Sequence, residues 1–236
     1  VADLAAGWAR LRATPAAERR VALVLANYPD RDGRLANGVG LDTPASTVEA
    51  LRLMAAAGYR VEGAPADADA LMARLLSGPT NADPRRAGGE RLPLATYRAW
   101  FDALPWEVRT QVADRWGPPE SDPAADGGAF ALAVHRLGAV AVAIQPARGY
   151  GIDPKATYHA PDLVPPHAYL ATYLWLRETF GAQALVHMGK HGNLEWLPGK
   201  GVALSARCWP EIALGPLPHL YPFIVNDPGE GTQAKR

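Results

Sequence analysis

Apolar runs that end abruptly in polar loops constrain the fold of this chain more than any other feature of its sequence. The runs cover residues 21–27, 139–144 and 184–187, and each is apolar almost throughout, as expected of a strand buried on both faces. Helical patterns lie at residues 43–57, 67–76 and 165–180, and the first and last of them have start and stop signals. This alternation predicts an α/β fold with doubly wound, mostly parallel sheets, a helical insert and a β-hairpin.

The pattern divides the chain into three predicted parts. Residues 1–78 predict an α/β lobe, residues 79–128 a helical insert, and residues 129–236 a second α/β lobe that carries the candidate site. In the first lobe, Thr43 is expected to cap a helix that has Pro44 at its first position. The helix that begins after Pro165 and Pro166 is expected to be amphipathic. Further expected elements are strands at 59–62 and 220–225, helices at 94–104 and 106–116, and a hairpin of runs 129–134 and 139–144 joined across 135–138.

Composition limits the partners of this chain. Lys plus Arg equals Asp plus Glu at 24 each, which does not favour binding of nucleic acid or an anionic membrane. The longest apolar stretches fall far short of the roughly 20 residues of a membrane span. A single cysteine, Cys208, cannot form an internal disulfide and has no CxxC partner, so it is expected to be a buried structural residue of a cytoplasmic protein. The first residue is Val1, and we expect the chain to be a fragment.

The most informative segment follows the predicted strand at 184–187. Two imidazoles and a carboxylate, those of His187, His191 and Glu195, lie within nine residues, and Gly189 and Gly192 allow sharp turns that would bring them together. Such ligands suit borderline ions such as cobalt or zinc. The alternative is a core histidine, a loop histidine and a carboxylate at the start of a helix. Spacing alone leaves both interpretations open.

Other polar groups are candidates for the same cleft. His167 lies in the first turn of a predicted helix, whose dipole favours a neutral, ligand-ready ring; a solvated or capping histidine is the alternative. Arg31 and Arg34 lie in a loop between a strand and a helix, where anions bind, and Arg148 and Tyr150 lie in a loop after another strand. Each loop also has an ordinary surface or turn interpretation. His135 and His219 are expected to be structural.

Several motifs together resemble a known family. They are HMGKHGNLEWLPGK at 187–200, CWP at 208–210, NDPGEGTQAKR at 226–236, ANYP at 26–29, GVGLDTPAS at 38–46 and QPARGY at 145–150. The chain is identified as a member of the cobaltochelatase/magnesium chelatase large-subunit family, and the resemblance covers nearly its whole length. It resembles the aerobic cobaltochelatase branch more than the magnesium branch, which typically has Phe-Met where this chain has Trp196 and Leu197.

The resemblance implies an enzyme that forms nitrogen–metal bonds, a ligase of cobalamin biosynthesis. Its implied reaction is insertion of Co²⁺ into hydrogenobyrinic acid a,c-diamide, a corrinoid tetrapyrrole. The implied partners are a motor-type ATPase subunit, which uses ATP and Mg²⁺, and its companion subunit, which contains a metal site. No nucleotide site is expected in this fragment, and the fragment alone is expected to be inactive.

Roles for the candidate residues follow from the implied reaction, in which two ring N–H protons leave as the metal enters. Glu195 is the expected base, His187 and His191 are expected to hold or deliver Co²⁺, and His167 is a fourth candidate. Tyr150 is expected to stack on the ring, and the substrate carboxylates are expected to pair with Arg31, Arg34, Arg148, Lys190 and Lys200. The alternatives are a magnesium chelatase subunit acting on protoporphyrin IX and a non-catalytic tetrapyrrole-binding scaffold.

Overall fold

The structure is a computed structural model that describes residues 1–27, 31–38, 40–151, 160, 162–189, 192–199 and 205–222. Its strands are β1 (Val21–Leu25), β2 (Asn37–Gly38), β3 (Leu41–Asp42), β4 (Glu90–Pro93), β5 (Ala125–Asp126), β6 (Ala129–Leu132), β7 (Val134–Leu137), β8 (Val140–Ile144), β9 (Ala184–Met188) and β10 (His219–Leu220). Its helices are α1 (Ala2–Ala13), α2 (Thr43–Ala56), α3 (Ala68–Leu76), α4 (Leu94–Asp102), α5 (Trp106–Trp116), α6 (His167–Leu174) and α7 (Trp209–Leu214).

A five-stranded sheet with the order β10-β9-β1-β8-β7 forms the centre of the fold. Strands β10, β9, β1 and β8 are parallel, and β7 at the edge is antiparallel. Helices α2 and α3 contribute to the apolar cluster on one face, and α4 to α7 contribute to the cluster on the other. This confirms the predicted α/β class with a mostly parallel sheet.

Strand β1 shows why the apolar runs are continuous. Its residues are all buried, and they alternate between the two clusters: Val21, Leu23 and Leu25 face α2 and α3, whereas Ala22 and Val24 face the other layer. Because both faces are covered by helices, no position of the strand favours a polar side chain. The pattern of a doubly covered strand is therefore visible in the sequence itself.

The predicted hairpin is wrong in its pairing. The run at 129–134 divides at Ala133, and its first part, β6, pairs with β4 and β5 in a separate three-stranded sheet. The hairpin is formed by β7 and β8, so most of the expected connection is itself a strand, and the turn lies at Gly138 and Ala139. Gly138 has a φ of +71°, which favours glycine over other residues in so tight a turn. The partners of β6 lie within residues 79–128, which were predicted to be helical, so the local sequence pattern did not reveal this pairing.

The remaining elements largely match the expected positions. Helices α3, α4 and α5 form where they were predicted, whereas the strand expected at 59–62 is only an isolated bridge between Val61 and Gly138. Helix α2 is capped by Asp42, whose carboxylate accepts the Ala45 N–H at 3.0 Å, and not by Thr43, which is already helical. Of the last predicted strand, β10 covers the beginning, and residues from 223 onward lie outside the described part.

Helix α6 differs in character from its prediction. It was expected to be amphipathic, yet all its residues except Ala168 are buried, and a π-helical turn at Trp175–Thr179 continues it. Strand and helix layers enclose it, so both of its faces pack against protein. None of the described helices has the length and apolar character needed to cross a bilayer.

Candidate functional site

The carboxyl end of β9 carries the candidate site. β9 lies between β1 and β10, and the side chain of His187 is buried at 3% exposure on the face covered by α6. Directly after the strand, Gly189 has a φ of +146° and packs so closely on Ala26 that a Cβ atom built there would overlap the alanine side chain. Glycine therefore permits the chain to leave the sheet at this point.

Both ring nitrogens of His187 form hydrogen bonds within the protein. Its Nδ1 atom lies 2.7 Å from Nε2 of His219, and its Nε2 atom lies 3.2 Å from the hydroxyl of Tyr173 on α6. The parallel pairing of β10 with β9 brings His219 alongside, because His219 is in register with Leu185. A metal ion could bind His187 only where one of these two hydrogen bonds is given up.

Glu195 lies in a 3₁₀ turn, Leu194–Trp196, and is 5% exposed. The hydroxyl of Tyr221 donates a hydrogen bond to Oε1 of Glu195 at 2.6 Å and accepts the backbone N–H of Gly192. The Tyr221 ring lies edge-on to the imidazole of His187, with centroids 5.5 Å apart and an interplanar angle of 67°. Tyr221 thus contacts both the histidine of β9 and the carboxylate of the following turn.

A second layer of hydrogen bonds joins the loops that follow β8 and β9. The Tyr169 hydroxyl donates to Oδ1 of Asn193 at 2.7 Å. The side-chain Nδ2 of Asn193 donates to the Pro146 carbonyl at 3.1 Å. Burial raises the pKa of Tyr169 well above 10, so its hydroxyl stays protonated and able to donate. The turn that carries Glu195 is therefore fixed to the neighbouring loop.

Arg148 forms hydrogen bonds to the same turn. Its guanidinium donates to the carbonyls of Trp196 and Ala160, each at 2.7 Å, and the residue is 4% exposed. A cation buried among carbonyl oxygens holds three loop segments together. The predicted pairing of Arg148 with a substrate carboxylate stays a prediction, and such a pairing would compete with these contacts.

His167 has a different set of partners from His187. Its Nε2 atom lies 3.0 Å from the carbonyl oxygen of Gly117, which can only accept, so Nε2 carries the hydrogen and Nδ1 accepts from the Tyr97 hydroxyl at 2.8 Å. Burial lowers the pKa of His167, which favours this neutral form. Its role as a fourth metal ligand stays a prediction.

The other predicted site residues are distributed over several loops. Arg31 and Arg34 are exposed, and the Tyr150 ring packs on Trp116 with centroids 4.7 Å apart. Burial raises the pKa of Tyr150 to about 12. His191, Lys190 and Lys200 lie outside the described residues. Within the described ranges, no three His, Cys, Asp or Glu side chains form a group that could hold a metal ion.

Sequence reasoning missed the residues that surround His187. Tyr173 lies one helical turn after Tyr169, a spacing that places the two rings together, with centroids 5.1 Å apart. The sequence pattern indicates only a structural role for His219 and no role for Tyr221. No local signal marks His219 or Tyr221, because their contacts depend on the pairing of β10 with β9.

Comparison with known proteins identifies the family of this chain. A family model described as CobN/Magnesium Chelatase matches residues 1–236. The chain is 64% identical over 236 residues to the aerobic cobaltochelatase subunit CobN of Sinorhizobium sp, an alignment that covers 100% of this chain and 18% of that protein. It is 34% identical over 238 residues to a magnesium-chelatase subunit of Chlorobaculum parvum, again covering 100% of this chain and 18% of the relative.

A solved structure has the same fold. The catalytic subunit of cobaltochelatase from Mycobacterium tuberculosis matches with a TM-score of 0.86 and 47% sequence identity, over 100% of this chain and 20% of that one. The chain thus spans about a fifth of the length of the relatives it matches. Because the family model matches every residue, the chain belongs to the CobN/Magnesium Chelatase family.

Proposed function

We propose that this chain is the part of a cobaltochelatase large subunit that carries the base for metal insertion. The reaction is insertion of Co²⁺ into hydrogenobyrinic acid a,c-diamide, in the cytoplasm. The observation that carries the proposal is a buried carboxylate, Glu195, held by the Tyr221 hydroxyl at 2.6 Å within the same aromatic cluster as His187. Membership of the family and the high identity to cobaltochelatase subunits support it.

The chemistry explains why a carboxylate is needed. Two ring N–H protons must leave the tetrapyrrole as the metal enters, and a carboxylate held in one orientation can accept a proton without first reorganising. Glu195 is the base in this proposal, and His191 and His187 deliver the metal. To bind Co²⁺, His187 gives up its hydrogen bond to Tyr173 or to His219.

Cobalt is the metal of this proposal for two reasons. Imidazole ligands suit a borderline ion such as Co²⁺ better than Mg²⁺, which prefers oxygen ligands. The chain also has Trp196 and Leu197 in the family motif and is more similar to cobaltochelatase than to magnesium chelatase subunits.

ATP hydrolysis belongs to partner subunits in this proposal. The sequence contains no G-x-x-x-x-G-K-[ST] loop, which agrees with a motor-type ATPase and its companion subunit acting from outside this chain. Arg31 and Arg34 are exposed and are proposed, with Lys190 and Lys200, to attract the carboxylates of the corrinoid substrate.

The test uses the full-length subunit that contains this chain, reconstituted with its ATPase partners. Glu195→Gln is expected to lower the rate of cobalt insertion by about a hundredfold or more, the usual contribution of a general base, while tetrapyrrole binding is retained. Glu18→Gln is the matched control, because Glu18 also lies in a 3₁₀ turn but is exposed.

Other outcomes identify the alternatives. Insertion of Mg²⁺ into protoporphyrin IX, with no reaction of Co²⁺ and the corrinoid, would identify a magnesium chelatase. If Glu195→Gln and His191→Ala both leave the rate of cobalt insertion unchanged, the chain is a non-catalytic tetrapyrrole-binding scaffold.

A further inference from the structure

We infer that Tyr221 is a positioning residue for metal insertion, because its hydroxyl fixes the carboxylate of Glu195. The inference rests on the proposed function, in which Glu195 is the base. It adds a residue that directly follows β10, 26 positions after Glu195 in the chain.

The position of Tyr221 is set by strand pairing. In the parallel pair of β10 and β9, His219 is in register with Leu185 and Leu220 with Val186, so the next residue, Tyr221, comes level with His187. Its ring lies edge-on to His219 as well, with centroids 5.1 Å apart and an interplanar angle of 84°. The ring therefore packs beside two imidazoles at the end of the sheet, with its hydroxyl on Glu195.

The direction of the hydroxyl hydrogen follows from its partners. The backbone N–H of Gly192 can only donate, so it occupies an acceptor position of the Tyr221 oxygen. The single hydroxyl hydrogen is then donated to Oε1 of Glu195 at 2.6 Å. Hydrogen bonds to an ionised acceptor are shorter and stronger than neutral ones, so this contact restricts the carboxylate to one orientation.

The same hydroxyl also fixes the turn that connects the two groups. Gly192 packs against the ring of His187, since a Cβ atom built on it would lie 3.1 Å from three of the ring atoms. Tyr221 therefore links the backbone beside His187 to the side chain of Glu195. A small displacement of a catalytic group costs rate rather than substrate affinity.

The experiment compares Tyr221→Phe, Glu195→Asp and the double variant with the unmodified full-length subunit. Metal insertion is measured in single-turnover reactions with the ATPase partners present and the subunit in excess, so that slow rates stay measurable. Tyr221→Phe keeps the ring and removes only the hydroxyl. We expect the insertion rate constant to fall about tenfold to a hundredfold, with unchanged tetrapyrrole affinity. The thermal midpoint is expected to fall no further than it does on removal of another bonded tyrosine hydroxyl of the same chain.

The Glu195→Asp background separates positioning from a general structural role. An aspartate is one methylene shorter than Glu195 and is expected not to reach the Tyr221 hydroxyl, so Tyr221→Phe is expected to change the rate by less than about twofold there. Tyr59→Phe is the control, because it also removes a bonded hydroxyl, the acceptor of Arg19 at 3.0 Å, on the opposite side of the sheet.

The inference is overturned by an unchanged insertion rate in Tyr221→Phe. It is also overturned by an equal fractional loss of rate in both backgrounds, which indicates only a stabilising contact. Insertion that survives both Glu195→Asp and Glu195→Gln would overturn the proposed base and this inference together. A lower insertion rate in the Glu195 variants with an unchanged rate in Tyr221→Phe would overturn this inference and leave the proposed base in place.

Discussion

The imidazoles of His187 and His219 are hydrogen-bonded to each other, with 2.7 Å between Nδ1 of the first and Nε2 of the second. Two bare ring nitrogens would repel at this distance, so one of them carries a hydrogen. The rings meet edge-on at 74°, with centroids 4.9 Å apart. The bond joins β9 to β10, so a buried histidine of the candidate site is oriented by a partly exposed one 32 residues later.

Replacing His219 tests this bond directly. His219→Phe keeps the ring volume but removes the nitrogen that faces His187, and is expected to lower the free energy of unfolding by about 1 kcal/mol. His219→Gln retains hydrogen-bonding atoms and is therefore expected to lower the free energy of unfolding by less. Urea unfolding of the chain measures both, and equal unfolding midpoints for His219→Phe and the unmodified chain would contradict the expectation.

Gly189 is expected to tolerate no side chain. A Cβ atom there would overlap Ala26, and the φ of +146° is unfavourable for other residues. Gly189→Ala should therefore lower the free energy of unfolding by about 2 kcal/mol. Gly33→Ala is the control, since nothing lies within 4 Å of its Cβ position. Comparable urea midpoints for the two variants would contradict the close packing of Gly189 on Ala26 at the end of β9.

The bond between Tyr97 and His167 is expected to contribute measurably to stability. Tyr97 is fully buried, and its hydroxyl donates to His167 at 2.8 Å. Tyr97→Phe leaves a buried ring nitrogen without this donor and should cost about 1 to 3 kcal/mol of unfolding free energy. Tyr150→Phe is the matched control, because in the described part of the chain the contact of its hydroxyl is a 3.5 Å one with the Trp116 carbonyl. A smaller loss of unfolding free energy in Tyr97→Phe than in the control would refute a stabilising bond between Tyr97 and His167.

Stability is expected to fall as the pH is lowered from 8 to about 5.5. Burial, followed by the charge of Arg74, lowers the pKa of His135 in the folded protein, and burial lowers that of His167. Below about pH 6.5 the unfolded chain binds protons that the folded chain does not, so acid favours unfolding. The stabilisation is complete above the unfolded pKa and is lost as the pH falls toward the folded pKa.

His135→Gln provides the variant for this pH dependence. It removes one of the two histidines whose pKa is lowered in the folded protein, so its urea midpoint should decrease less between pH 8 and pH 5.5 than that of the unmodified chain. The same decrease in both proteins would assign the acid sensitivity to other groups.

The sequence determined those parts of the molecule that depend on short-range pattern. Strands β1, β8 and β9 were predictable because a strand covered on both faces is apolar almost throughout. Helix α3 was predictable from its helical spacing, and the structure adds that Asp67 caps it. The candidate segment with His187 and Glu195 was likewise visible as a polar motif directly after a strand.

Only the tertiary structure decided which segments meet. The sequence did not reveal that β6 pairs with strands of the insert, that His167 bonds to Tyr97, or that β10 brings His219 and Tyr221 to the end of β9. These contacts join residues that are distant in the chain, and their geometry depends on strand order and register. A hydrogen-bonding side chain can find many partners, and the packed sheet selects one of them.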